Sequence, residues 1–178
     1  MQYRRARTAG GTFFFTVNLA ERNNTLLIDH VDLLRHSVKD TQTNHPFIID
    51  AMVILPEHLH AIWTLPEHDS DYSTRWRLIK SGFSRALPKT ERINPARKKK
   101  SERGVWQHRF WEHQIRDESD YKNHMDYCYF NPVRHGYVDK VKDWAFSSFH
   151  RDVKNGLYDE SWGAIVGLLL SEKDVGES

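Results

Sequence analysis

The run Val53-Ile54-Leu55-Pro56-Glu57-His58-Leu59-His60-Ala61-Ile62-Trp63-Thr64-Leu65 decides how this chain folds. Apolar residues on both sides of Pro56-Glu57 read as two strands, Phe47 to Leu55 and His58 to Leu65, joined by a short turn into a hairpin. Side chains alternate faces along a strand, so His58 and His60 leave one face while Leu59 and Ala61 enter the buried one. Two imidazoles side by side on a rigid strand suit one shared metal ion. The plainer alternative is a pair of partly exposed edge-strand histidines, because short motifs match often by accident. The expectation is that both rings line an exposed groove and add little to folding.

Working outward, Thr12 to Leu19 is rich in Phe and β-formers and reads as a strand. Asp29 to Thr43 carries Val31, Leu34 and Val38 at helical spacing, with Asp29 as candidate cap. After the hairpin, Ser73 is expected to cap a second helix. Trp76, Ile79, Phe83 and Leu87 mark its buried face, Arg75, Arg77, Lys80 and Arg85 its wet one, and Pro88 its end. Val105 to Ile115 reads as a further strand. The order β-α-β-β-α-β, followed by another helix, predicts an α+β fold. It is a ferredoxin-like split β-α-β sandwich, an antiparallel sheet with helices on one face, plus a C-terminal extension. One domain is expected over 1–150. In the tail, 151–178, Tyr158 and Trp162 are candidates to dock beside Trp144, Phe146 and Phe149. Ala164 to Leu170 reads as a short buried or self-associating helix, and the tail either completes the core or lies across the site and regulates it.

The added helix carries the second chemical signal. Glu118 to Phe130 contains no Gly or Pro, and Asp117 or Ser119 is suited to cap it. Tyr121, Met125 and Cys128 follow the spacing of a buried stripe. Tyr127 and Asn131, four apart, project from one side. Pro132 disfavours the α conformation at Asn131, so the helix is expected to end there. A phenol and an amide facing two imidazoles would place a nucleophile beside a metal site. The plainer reading of Tyr127 is an aromatic in a helix–sheet interface, and Tyr121, Tyr129 and Tyr137 are its rivals for any chemical role.

Composition narrows the class. The 178 residues suit one compact domain, and no apolar run approaches the length of a membrane span. The start lacks the pattern of a secretory signal, and the lone cysteine, Cys128, excludes an intramolecular disulfide; both point to a reducing cytoplasm. The formal net charge is only +2, but its distribution is uneven. Basic residues gather at Arg4 to Arg7, along Arg75 to Arg85, and in the polar loop Arg92 to Arg103, next to the aromatic-basic segment Trp106 to His113. A solvated loop is the default reading of such a run. Neutralisation of phosphates is the alternative that its neighbourhood favours.

Taken in order, Tyr3-Arg4-Arg5, Gly11 to Leu19, Leu55-Pro56-Glu57-His58-Leu59-His60, Arg109-Phe110-Trp111-Glu112-His113, the Asp126-Tyr127 helix, Asn131-Pro132-Val133-Arg134-His135-Gly136 and Trp144 to Phe149 resemble the REP-associated tyrosine transposases. These form a domesticated branch of the single-tyrosine HUH transposases, and the resemblance spans roughly residues 3 to 162. It implies a metal-dependent endonuclease and strand transferase with Tyr127 as nucleophile and a 5′-phosphotyrosine intermediate. It also implies Mg²⁺ or Mn²⁺ held by His58, His60 and a third ligand. Related enzymes often draw that ligand, commonly Gln, from one turn after the tyrosine; here the position is Asn131, one methylene shorter. The implied substrate is single-stranded or hairpin DNA of a palindromic repeat, bound by a monomer or weak homodimer with no membrane partner. Candidates for holding that DNA are Arg4, Arg5, Arg75, Lys80, Lys98, Lys99, Lys100, Arg109, Trp111 and His113. Two other classes fit the same residues: a sequence-specific DNA-binding regulator that rarely cleaves, and a hydrolase whose histidine-bound metal activates water.

Overall fold

The computed structural model describes residues 8–88 and 104–163. Its centre is a four-stranded sheet built from β1 (Thr12–Asn18), β2 (Ile48–Ile54), β3 (His58–Thr64) and β4 (Trp111–Gln114), in the order β2-β3-β1-β4. All three neighbouring pairs are antiparallel, as the split β-α-β reading requires. The hairpin closes where expected, with Ile54 opposite Leu59 and the Leu55 N–H donating to the His58 carbonyl. β4 is shorter than the sequence suggests. Upstream of Trp111 the chain makes only an isolated bridge, Trp106 to Leu19, and Trp106 turns its indole into the core instead of continuing the ladder.

Among the described residues five α-helices follow in chain order: α1 (Leu26–Asp29), α2 (Val31–Asn44), α3 (Tyr72–Ala86), α4 (Glu118–Arg134) and α5 (Phe149–Lys154). α2 and α3 cover one face of the sheet. Phe13, Phe15, Val17, Leu59, Ala61 and Trp63 meet Leu34, Val38, Trp76, Ile79 and Phe83 there. The Trp63 and Trp76 rings stack with centroids 4.1 Å apart, so two of the largest side chains in the protein fill the middle of that layer. Asp29 does not cap the long helix. Its carboxylate accepts from the Thr25 hydroxyl, and His30 separates α1 from α2. At α3 the cap is Asp71, whose carboxylate accepts from the Thr74 N–H, rather than Ser73.

The opposite face is packed by α4 and the segment that follows it. Phe14, Ala51, Val53 and Ile62 meet Met125, Tyr127, Cys128, Tyr129 and Phe130. Trp144, Phe149, Tyr158 and Trp162 extend this second layer, and the Trp144 indole N–H donates to the Ile54 carbonyl. Docking of these aromatics is therefore as expected, while Ala164 to Leu170 lies outside the described residues.

α4 starts at Asp117, whose carboxylate accepts from the Asp120 N–H, and it runs through Pro132 to Arg134. The expected end at Asn131 is overturned. Burial of both Asn131 and Pro132 holds the last turn in helical form, outweighing the local preference. The real stop is Gly136, at φ +73°, a conformation that costs a residue without Cβ little. There the Gly136 N–H donates to Val133 and the Tyr137 N–H to Pro132, the paired bonds of a Schellman motif. Among the described residues, no helix is long and apolar enough to cross a membrane.

Candidate active site

β3 and α4 bring the two halves of the site together. The alternation on β3 is as expected: Leu59, Ala61 and Trp63 enter the first layer, while His60 and Ile62 face α4. Tyr127 lies edge-on to His60, ring centroids 5.3 Å apart, and edge-on to Phe14 at 5.8 Å. The His58 and His60 rings are 5.0 Å apart. Asn131, one turn after Tyr127, is fully buried beside them.

The histidines do not line an exposed groove. His58 is 6% exposed and His60 0%, because α4 roofs the face on which they lie. Each imidazole is braced at Nδ1. His58 donates to a Glu57 carboxylate oxygen at 3.0 Å, and a 3.0 Å hydrogen bond joins His60 to the Thr16 hydroxyl across the strand pair. Glu57 is itself held by the Tyr137 hydroxyl, which donates to its other oxygen. A partner at Nδ1 fixes ring orientation and turns Nε2 toward any ligand. Nε2 of His60 and both polar atoms of the Asn131 side chain are buried with no hydrogen-bond partner. Burial holds the His60 imidazole well below its ordinary range, reinforced by the charges of His58, His135 and Arg134 and opposed by the Asn131 amide. A neutral imidazole and an amide oxygen, desolvated and unpaired, are donors that a divalent cation would satisfy.

A second histidine cluster lies beside this one and behaves differently. The His113 Nε2 donates to Asp120 at 2.8 Å, and His124 Nδ1 donates to the Asp120 carbonyl at 2.8 Å and lies 3.1 Å from its carboxylate. Arg116 adds its backbone N–H and guanidinium to the same carboxylate. The three ligating atoms are close enough to hold a metal. Unlike the atoms around Asn131, however, they are already satisfied by one another. The cluster ties the start of α4 to the edge strand β4 and so fixes the helix that carries Tyr127.

Acid should loosen this tie in two steps. Burial lowers the His124 imidazole below its ordinary 6.5, so its contribution is complete above that pH and fades as pH falls toward the lowered value. Burial works to raise Asp120, but the His113 and Arg116 hydrogen bonds outweigh it and bring the carboxyl to about 2, from an ordinary 3.8. That contribution is present above pH 3.8 and is lost as pH falls toward about 2. Melting temperature followed from pH 8 to 2 checks this, and His124→Gln should flatten the first step. An unchanged profile in the variant would remove His124 from the account.

Each rival tyrosine is committed to a hydrogen-bond partner of its own. The Tyr121 hydroxyl donates to Asp50 and, with burial, is pushed up to about 12. Tyr129 is buried against Asp152 and Ser148 and is raised further. Tyr137 serves Glu57. Two proposed DNA contacts are also corrected. Arg75 is 2% exposed and donates to the carbonyls of His45, Pro46 and Asp71 and to the Asp69 carboxylate, so its guanidinium is consumed in joining α3 to the α2–β2 connection. The Lys80 ammonium turns inward to the Gln107 carbonyl, near the Trp106 and Phe110 rings. Arg109 is exposed, and Trp111 and His113 are half-buried on the edge strand, on the Tyr127 side of the sheet. Arg4, Arg5, Lys98, Lys99 and Lys100 lie outside the described residues. The bracing roles of Glu57 and Thr16 were missed. Glu57 adjoins the histidines in sequence, but only strand pairing brings Thr16 to His60.

A split β-α-β sheet with a His-Leu-His strand under a tyrosine helix is the arrangement that the sequence resemblance implied. No family model matches the sequence. The REP-associated tyrosine transposase of Escherichia coli K12 is 48% identical over 165 residues, covering 93% of this chain and 92% of that protein. A Haemophilus influenzae protein provisionally given the same name is 50% identical over 169 residues, 94% of this chain and 96% of its own. A solved REP-associated tyrosine transposase bound to a REP hairpin superposes with a TM-score of 0.83 at 46% identity, over 100% of this chain and 98% of that one. The chain belongs to the REP-associated tyrosine transposases, and it is an enzyme of that kind.

Proposed function

We infer that this enzyme nicks and rejoins single strands at a palindromic repeat hairpin, with Tyr127 as nucleophile and a divalent cation, Mg²⁺ or Mn²⁺, held by His58, His60 and Asn131. One observation carries the reading: the unpaired, buried polar atoms of His60 and Asn131 lie beside Tyr127. A phenol with an ordinary pKa near ~10 attacks poorly unaided. When bound there, the cation polarises the scissile phosphate and offsets charge gathering on its oxygens. The chain supplies the rest. Glu57 and Thr16 hold the imidazoles in register, while Phe14 and His60 fix the phenol ring edge-on. Attack leaves a 5′-phosphotyrosine and a free 3′-hydroxyl, and because the phosphodiester energy stays in the covalent bond, a hydroxyl can reverse the step and join strands without ATP. The relative solved with a REP hairpin supports this substrate class.

The deciding experiment incubates the protein with single-stranded repeat-hairpin DNA and Mn²⁺ and resolves the products on a denaturing gel. A covalent protein–DNA adduct supports strand transfer. Tight binding without cleavage would favour the regulator, and cleavage without an adduct the hydrolase. The Lys98 to Lys100 run is proposed as a general phosphate contact. Replacing all three with Ala should weaken repeat and scrambled DNA alike and flatten the slope of log affinity against log salt by roughly 0.7 per lost contact. An unchanged slope would mean that these lysines touch no phosphate.

A further inference from the structure

We propose that Arg134 is a catalytic residue that binds the scissile phosphate against Tyr127, a role that rests on the strand-transfer reading above. Arg134 is the last residue of α4, seven positions after Tyr127 and hence two turns along the same face. Helical side chains lean toward the N-terminus, and this one reaches back so that its guanidinium carbon lies 5.4 Å from the Tyr127 ring centroid. Yet Arg134 itself is exposed, whereas Tyr127, His60 and Asn131 are buried. The stripe Tyr127–Asn131–Arg134 therefore runs from a buried phenol to an exposed cation.

In the transfer step the bond from Tyr127 Oη to phosphorus forms and the bond from phosphorus to the 3′-oxygen breaks. The phenol releases its proton to solvent, and the 3′-oxygen takes one up from solvent. Arg134 exchanges no proton. Its planar donors pair with a non-bridging phosphate oxygen and offset the charge that builds there at the transition state. The duller reading is a surface cation that rests on an aromatic face and suits a helix C-terminus, a contribution to stability alone.

A charge-rescue experiment separates them. Arg134→Met should fold normally by melting temperature and slow adduct formation on ordinary DNA roughly 100-fold. Arg134→Lys, which keeps the charge but loses the fork, should fall between. On DNA carrying a neutral methylphosphonate at the scissile position, Arg134→Met should react as fast as wild type, because the charge it serves is gone. Binding measured without metal gives a second readout: wild type should distinguish the phosphodiester from the methylphosphonate, and Arg134→Met should not. Equal slowing on both substrates, or a variant as fast as wild type on ordinary DNA, would overturn the proposal. Should Arg134→Met prove unstable, the same comparison made with Arg134→Lys decides. Absence of any adduct in wild type would instead overturn the reading on which it rests.

Discussion

Tyr127→Phe should form no covalent adduct with repeat-hairpin DNA while keeping the fold and the ability to bind. The ring is the structural part of this residue. It packs edge-on against Phe14 and His60 and beneath the Arg134 guanidinium, and Phe preserves all three contacts. The hydroxyl is the chemical part, and its removal leaves no substitute within reach. Tyr121 is tied to Asp50 and held near 12, and Tyr129 is tied to Asp152 and packed edge-on against Phe149 of α5. Adduct formation is therefore expected to drop below detection, a loss of at least several orders of magnitude, with melting temperature within a few degrees of wild type. The check is a denaturing gel followed by mapping of the modified residue. An adduct in the variant, or one mapped to Tyr121 or Tyr129 in wild type, would sink the assignment.

The strand pattern was the legible part. Alternation in His58-Leu59-His60-Ala61 placed both imidazoles on one face, and the helical spacing of Tyr127 and Asn131 placed phenol and amide on one side of α4. What alternation could not reveal was the cover. His60 is buried because α4, more than sixty residues later, packs over it, and a two-residue period is silent on what lies across the sheet. Arg75 misled for a related reason. Its place beside Trp76 was read as part of the wet face, but three backbone carbonyls together with Asp69 draw it inward. Pro132 misled because local preference was outweighed by burial of the last turn of α4. In each case a tertiary partner, distant in sequence, overrode a local rule.

That burial changes what should be expected of the proposed metal site. Exposed histidines would be replaceable at little cost, but His60 is fully buried and bonded to Thr16, so His60→Ala should destabilise the fold as well as abolish cleavage. A loss of activity there is ambiguous. Asn131 offers a cleaner test, since both its polar side-chain atoms are buried and unpaired without a cation. Leu branches at the same carbon and demands no partner. Asn131→Leu in EDTA should therefore be more stable than wild type, by about 1–3 kcal/mol, the penalty of an unsatisfied buried polar group. Wild type should gain stability as Mn²⁺ is added, because a ligand that binds only the folded chain stabilises it by mass action. Asn131→Leu should show little of that gain and form no adduct. Thermal melts of both proteins with EDTA and across a Mn²⁺ titration provide the measurement. A variant that melts below wild type in EDTA, or that responds fully to Mn²⁺, would remove Asn131 from the ligand set and leave the third position to be sought elsewhere around His58 and His60. Raised stability with lost chemistry is the outcome expected of a residue kept for function at a cost to the fold.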